Sequence, residues 1–249
     1  MRQPFQGVSN IVRFNWHFYL IAVVGVSLGL WFASWLGGWW FVAGLCLAFG
    51  AVATMVISLI VSWYIYDRSD LYRLTWLPDL QPGSQIVNIH AGFDETSGLL
   101  TKRYPEASLQ VFDFYDPELH TEISIKRARE AYAPHPGTMA VSTTDMPLKD
   151  GSVDVIFLLL AAHEIRNAAE RTQFFALLRQ ALKPGGRIIV TEHLRDPANF
   201  LAYTVGAFHF LAHEDWRRTF EGAALAVVEE KKLTPFLTTF TLVAYADPS

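Results

Sequence analysis

The sequence predicts an α/β fold: a doubly wound, Rossmann-like sheet with an antiparallel C-terminal strand, preceded by a two-helix transmembrane hairpin. Three observations carry this. Residues 139–193 run strand, acidic turn, strand, helix, glycine turn, strand, and such a crossover in about 40 residues implies a right-handed parallel unit. Residues 14–66 contain no Asp, Glu, Lys or Arg. The chain closes with two β-rich runs, 224–229 and 236–245, which read as a hairpin after a helix. The organisation that follows is a membrane hairpin over residues 1–66, a linker over 67–83 and the sheet domain over 84–249.

Composition agrees. Of 249 residues 51% are apolar, and the excess lies at the N-terminus. A net charge of −4 gives no basic footprint, so nucleic acid is not an expected partner. The single cysteine, Cys46, excludes an intrachain disulfide framework and a Cys-rich metal site.

A membrane span needs about 20 apolar residues, so the charge-free run holds two, split at Gly37-Gly38 into residues 16–36 and 39–66. It is too long for the apolar core of a signal peptide. Gly25, Gly29 and Ala33 on the first helix, and Gly50, Thr54, Ser58 and Ser62 on the second, present small residues every four positions. Such faces let helices approach closely in lipid, within the hairpin or in a homodimer. Trp16, Trp35, Trp39, Trp40 and Trp63 fall near the span ends. Arg2, Arg13, Arg68 and Arg73 flank the pair while the turn is uncharged, which puts both ends, and the sheet domain, on the cytoplasmic side.

Residues 67–81 mix charge with Leu71, Tyr72, Leu74, Trp76 and Leu77, and read either as an amphipathic helix on the membrane surface or as a short helix packed on the sheet. Pro82-Gly83 marks a boundary. Strands follow at 85–89 and 108–112, the second ahead of a helix over 118–131, and then at 139–142. Residues 153–160 are almost continuously apolar, as a strand buried on both faces should be. Phe174, Leu177, Leu178 and Ala181 line one face of a helix over 170–182, which Pro184-Gly185-Gly186 terminates. In such sheets ligands sit at the C-terminal strand ends, so Asp145, Ala162-His163-Glu164 and Glu192-His193 share one rim.

Asp145 before Met146-Pro147-Leu148, then Asp150-Gly151-Ser152-Val153-Asp154-Val155, then Leu182-Lys183-Pro184-Gly185-Gly186-Arg187, in this order and spacing, resembles the second half of a class I S-adenosylmethionine-dependent methyltransferase. The resemblance covers residues 84–249 and implies S-adenosylmethionine as cofactor. It also implies that the turn after the first strand binds the methionine end of the cofactor. There Asn88 stands at the family's acidic position, Gly92 is the one glycine kept, and His90 and Asp94 replace the outer glycines. Asp94 or Glu95 could accept from the cofactor's ammonium; alternatively both favour the N-terminus of the next helix. Asp113, about 20 residues past Gly92, is the expected ribose acid, with Asp116 as alternative. The resemblance further implies that Asp145 accepts from the adenine amino group and that Met146 lines the ring pocket.

Methyl transfer needs two aligned reactants and, for a weakly acidic acceptor, a base. His163 is the candidate base and Glu164 its orienting carboxylate. No metal is expected: there is no HExxH pairing, and His209/His213 is the one ligand-like spacing. Phe200, Tyr203, Phe208, Phe210 and Trp216 fit an apolar substrate pocket or contact with the bilayer. The expected function is a membrane-anchored methyltransferase acting on an apolar or membrane-associated small molecule, lipid or quinone-like. The alternative is a non-catalytic membrane protein whose degenerate domain binds a ligand or partner.

Overall fold

A computed structural model describes residues 3–245. Two helices, α1 (Gln6–Leu36) and α2 (Gly38–Trp63), form an antiparallel pair joined at Gly37, whose φ of 69° suits a residue without Cβ. Both are long and apolar enough to cross a membrane, and almost no residue in their most apolar stretches is buried. Trp31, Trp35, Trp39 and Trp40 are exposed around the turn. The helices meet where Ala33 faces Gly44; a Cβ on Gly44 would lie 2.6 Å from that of Ala33. Of the small-residue face expected on α1, Ala33 makes this contact, while Gly25 and Gly29, and Gly50 on α2, have open space in front of them.

α1 kinks at Asn15 (φ −114°, ψ 17°), where its side-chain amide donates to the Ile11 carbonyl. The limb before the kink packs on the sheet domain. Its first turn is capped by Asp67, which accepts from the Gly7 and Val8 amides at 2.8 and 2.9 Å. Asp67 lies in a π-helical turn, Tyr64–Arg68, that continues α2. Residues 69–81 are neither of the expected helices. They form an irregular strap that buries Leu71, Leu74 and Leu77, two of them against Ile86 and Phe157 of the sheet.

Seven strands follow: β1 (Gln85–His90), β2 (Ser108–Asp113), β3 (Met139–Ala140), β4 (Val153–Leu159), β5 (Leu182–His193), β6 (Leu225–Thr234) and β7 (Leu237–Ala244). Their order in the sheet is β3-β2-β1-β4-β5-β7-β6. The first five run parallel, and β7 enters antiparallel between β5 and β6, as the C-terminal hairpin pattern predicts. Helices α3 (Ser97–Arg103), α4 (Ile123–Ala131), α5 (Ala168–Ala181), α6 (Pro197–Tyr203) and α7 (His213–Gly222) complete the domain. α5 starts at the Asn167 cap, whose side chain accepts from the Ala169 and Glu170 amides. It ends before Pro184 is reached. Pro184-Gly185-Gly186 instead make an excursion in β5 between Leu182, paired with Val153, and Arg187, paired with Val155. A Cβ on Gly186 would lie 2.9 Å from the Val153 carbonyl oxygen.

Candidate active site

β1, β2, β4 and β5 end at His90, Asp113, Leu159 and His193 along one edge, and the base of the hairpin covers that edge. Phe14 of α1 packs edge-on against Phe93 and Tyr132, and the Tyr132 hydroxyl donates to the Asn10 side chain at 2.9 Å. Arg127 of α4 donates to the Phe14 carbonyl at 2.6 Å. Tyr66 donates to His193 Nε2 at 3.0 Å, and Tyr72 donates to Glu95 at 2.6 Å. Between hairpin and sheet lies a cavity of about 240 Å³, lined by Asn10 and Phe14 from one side and by His90, Phe93, Leu160 and Glu164 from the other. Leu160 holds a φ of 58° at the exit of β4, an uncommon backbone for a branched residue and one found more often at functional rims. A second cavity, of about 390 Å³, lies against Tyr115, Asp116, Thr143 and Asn167; Glu164 borders both.

The turn after β1 is held by its own polar residues. Asn88 donates to Thr96 Oγ1 at 2.9 Å and Ser97 Oγ at 2.8 Å, leaving its buried Oδ1 unpaired. Asp94 accepts from the Thr96 and Ser97 amides, both at 2.9 Å, and so serves the start of α3. Asp113 accepts from the Gly92 amide at 2.8 Å and the Tyr115 amide at 3.0 Å, and its other oxygen is bound by Arg129. Gly92 adopts φ 90°, and a Cβ there would meet Tyr115 and Ile125 at under 3 Å. The Asp113 carboxylate thus clamps the turn rather than presenting open lone pairs, and Asp116 is the neighbouring acid that borders a cavity. His90 is 5% exposed, borders the smaller cavity, and neither ring nitrogen has a hydrogen-bond partner. Burial lowers its pKa, so the ring is neutral at pH 7. Asp145 is exposed in a tight turn bridged to Ser142, and Met146 packs on the main core. It is Ser142 and Thr143, rather than Asp145 and Met146, that line the larger cavity.

Beyond β4, the 3₁₀ turn Ala162–Glu164 aims His163 at the end of β5. His163 Nδ1 is 2.7 Å from the fully buried Glu192, which also accepts from the His163 amide at 3.2 Å. His163 Nε2 is 3.3 Å from Glu164. Burial alone would lower the His163 pKa. The Glu192 charge and hydrogen bonds to both carboxylates outweigh it and raise the value to about 10. Burial would likewise raise Glu164, but hydrogen bonds from His163 and His209 hold its carboxyl far below the usual range. His163 is therefore an imidazolium at neutral pH in this arrangement, a hydrogen-bond donor rather than a ready base. His209, whose sequence spacing pairs it with His213, instead joins this group, with Nε2 3.5 Å from Glu164; His213 turns away to Glu230. The signal available in the sequence was that β4 and β5 are neighbours, which brings the residues after each together.

The residues present fit S-adenosylmethionine. His90, whose ring borders the smaller cavity with neither nitrogen hydrogen-bonded and Nδ1 3.6 Å from Asp113, offers a buried polar contact. Glu164, on both cavities, supplies negative charge of the kind a sulfonium or an ammonium requires, while Asp116 borders the larger cavity and Tyr115 supplies a ring face beside it.

Residues 97–190 match the family model described as a methyltransferase domain. Among curated proteins none matches the chain significantly. Solved structures share the fold. A SAM-dependent methyltransferase from Aquifex aeolicus is 14% identical with a TM-score of 0.52, covering 76% of this chain and 97% of its own. A geranyl diphosphate C-methyltransferase from Streptomyces coelicolor A3(2), solved with Mg2+, geranyl diphosphate and S-adenosyl-L-homocysteine, is 12% identical with a TM-score of 0.52, covering 74% and 81%. A geranyl diphosphate methyltransferase bound to its diphosphate and sinefungin is 14% identical with a TM-score of 0.53, also covering 74% and 81%. The sheet has the α/β fold of these methyltransferases.

Proposed function

We propose that the chain is a membrane-anchored, S-adenosylmethionine-dependent methyltransferase acting on an apolar or membrane-associated small molecule of lipid or quinone type. The observation that carries this is the 240 Å³ cavity at the C-terminal strand ends, whose walls come jointly from the hairpin base and the sheet. An acceptor confined to the bilayer would reach that cavity along α1, and confinement raises its effective concentration at the site. Arg13 and Arg68 flank the two spans and the turn between them is uncharged, which supports placing the sheet domain on the cytoplasmic face.

The cofactor supplies an electrophilic methyl group. The chain's own residues bind, orient and exclude water. His90 and Asn88 meet the methionine end beside Gly92, while Asp94 and Asp113 keep the turn closed. Asp116 is placed for the ribose, and Ser142 and Thr143 stand nearer the adenine side than Asp145 and Met146. Phe14, Phe93 and Leu160 form the apolar wall against which an acceptor aligns. His163, held by Glu192, stands behind Glu164, the carboxylate that borders the cavity.

A second reading, ligand or partner binding without turnover, is favoured by one observation: the Asp113 carboxylate is fully engaged by Gly92, Tyr115 and Arg129. Purified chain in vesicles made from a total membrane lipid extract, supplied with methyl-labelled S-adenosylmethionine, separates the two. Label in the organic phase, dependent on the protein, supports the enzyme. Saturable cofactor binding with no label transferred supports the second reading.

A further inference from the structure

We propose that His163, Glu164 and His209 form a site for a divalent transition-metal ion. One ligand atom from each lies within 4.8 Å of the others. More specifically, Nε2 of His163 and Nε2 of His209 converge on the same oxygen of Glu164, at 3.3 and 3.5 Å. Ligand atoms about 3.3 Å apart are what a tetrahedral ion with bonds near 2.0–2.1 Å requires.

The outer contacts point the same way. Each imidazole has its other nitrogen against a carboxylate: His163 Nδ1 on Glu192 at 2.7 Å and His209 Nδ1 on Glu122 at 3.2 Å. A carboxylate on Nδ1 fixes the tautomer that leaves Nε2 free to ligate, and it makes the ring a better donor. The positive charge facing this group from outside is the exposed Arg166, whose guanidinium contacts both ring nitrogens of His209, Nδ1 most closely and Nε2 at 2.8 Å, and donates to its carbonyl. Its contacts with the ring would give way, Nε2 to the ion and Nδ1 to Glu122, while that with the carbonyl can persist.

Two imidazoles and one carboxylate suit Zn2+ or Mn2+ better than Mg2+ or Ca2+, which prefer all-oxygen shells. Three protein ligands leave a coordination position open, and one of the ligands, Glu164, borders both cavities. It would take an oxygen donor such as a hydroxyl or phenol. That the donor belongs to a methyl acceptor rests on the methyltransferase reading; the binding of the metal does not.

The test uses tag-free, full-length chain in detergent, stripped with chelator and titrated with Zn2+ by calorimetry and with Co2+ by visible absorption. One equivalent should bind, with the Co2+ bands of a four-coordinate site. His209→Ala and Glu164→Gln should each weaken binding at least tenfold, and His213→Ala should leave it unchanged. Folding is monitored by circular dichroism, and His209→Gln replaces His209→Ala if that variant unfolds. Absence of saturable binding by folded chain, or unchanged binding in both site variants, overturns the proposal. S-adenosylhomocysteine binding measured on the same stripped samples keeps the readings apart: its loss alone would remove the methyltransferase reading and leave the metal site standing.

Discussion

Tyr66, in the π-helical turn that continues α2, donates its hydroxyl proton to Nε2 of His193, the last residue of β5. The tautomer follows from the other nitrogen: His193 Nδ1 faces two acceptors, Asn199 Oδ1 at 3.1 Å and the Phe236 carbonyl at 3.0 Å, and so must carry the proton. The base of the helical hairpin is thereby bonded to the rim of the sheet. Tyr66→Phe leaves a buried ring nitrogen unpaired, which costs about 1–3 kcal/mol. A fall in melting temperature of a few degrees, read by scanning fluorimetry in detergent, is expected.

The same histidine gives a pH dependence. Burial pushes the His193 pKa down from 6.5 to about 4. The unfolded chain then binds a proton that the folded chain refuses between these values. The contribution of neutral His193 is complete above about pH 6.5 and is lost as pH falls toward 4, on the order of 3 kcal/mol at the limit. His193→Gln should flatten the wild-type stability profile across that window. Parallel profiles for the two proteins would contradict the assignment.

The two acids at the end of β2 should behave differently. Asp113→Asn removes the charge that binds Arg129 and the Gly92 and Tyr115 amides, so both stability and S-adenosylhomocysteine affinity should fall. Asp116→Asn should lower affinity about tenfold with an unchanged melting temperature. If Asp116→Asn leaves affinity intact, the ribose contact lies elsewhere.

Gly7 fits beneath Tyr66 because it has no side chain; an added Cβ would lie 2.4 Å from the Tyr66 Cβ. Gly7→Val should displace the first turn of α1 from its Asp67 cap and open the cavity. We expect easier proteolysis within residues 3–14 and a lower melting temperature, while the chain still partitions with membranes through α1 and α2.

Much of this was legible in the sequence because it is periodic. The charge-free run gave both long apolar helices, and the Asn15 kink falls where the first was expected to begin, at Trp16. Alternation between strand and helix periods gave the sheet and its antiparallel ending. What was not legible depends on contacts between distant residues. The strap over residues 69–81 has the composition of an amphipathic helix, yet Leu74, at φ 56°, and Leu77 are buried in an irregular path. Asp113 has the expected position, but nothing local shows that Arg129 and two backbone amides occupy its oxygens. His209 shows a helical spacing with His213, and only the fold turns it toward His163 and Glu164.

The central claim is that the rim beneath the hairpin binds S-adenosylmethionine, and calorimetric titration of the detergent-solubilised chain with S-adenosylmethionine and S-adenosylhomocysteine tests it most directly. His90→Phe is the paired variant, because it keeps a buried ring and removes two unpaired nitrogens from the cavity wall. The account predicts saturable one-to-one binding of both ligands by the wild type, weakened at least tenfold by His90→Phe. No binding of either ligand to folded wild-type chain would contradict it.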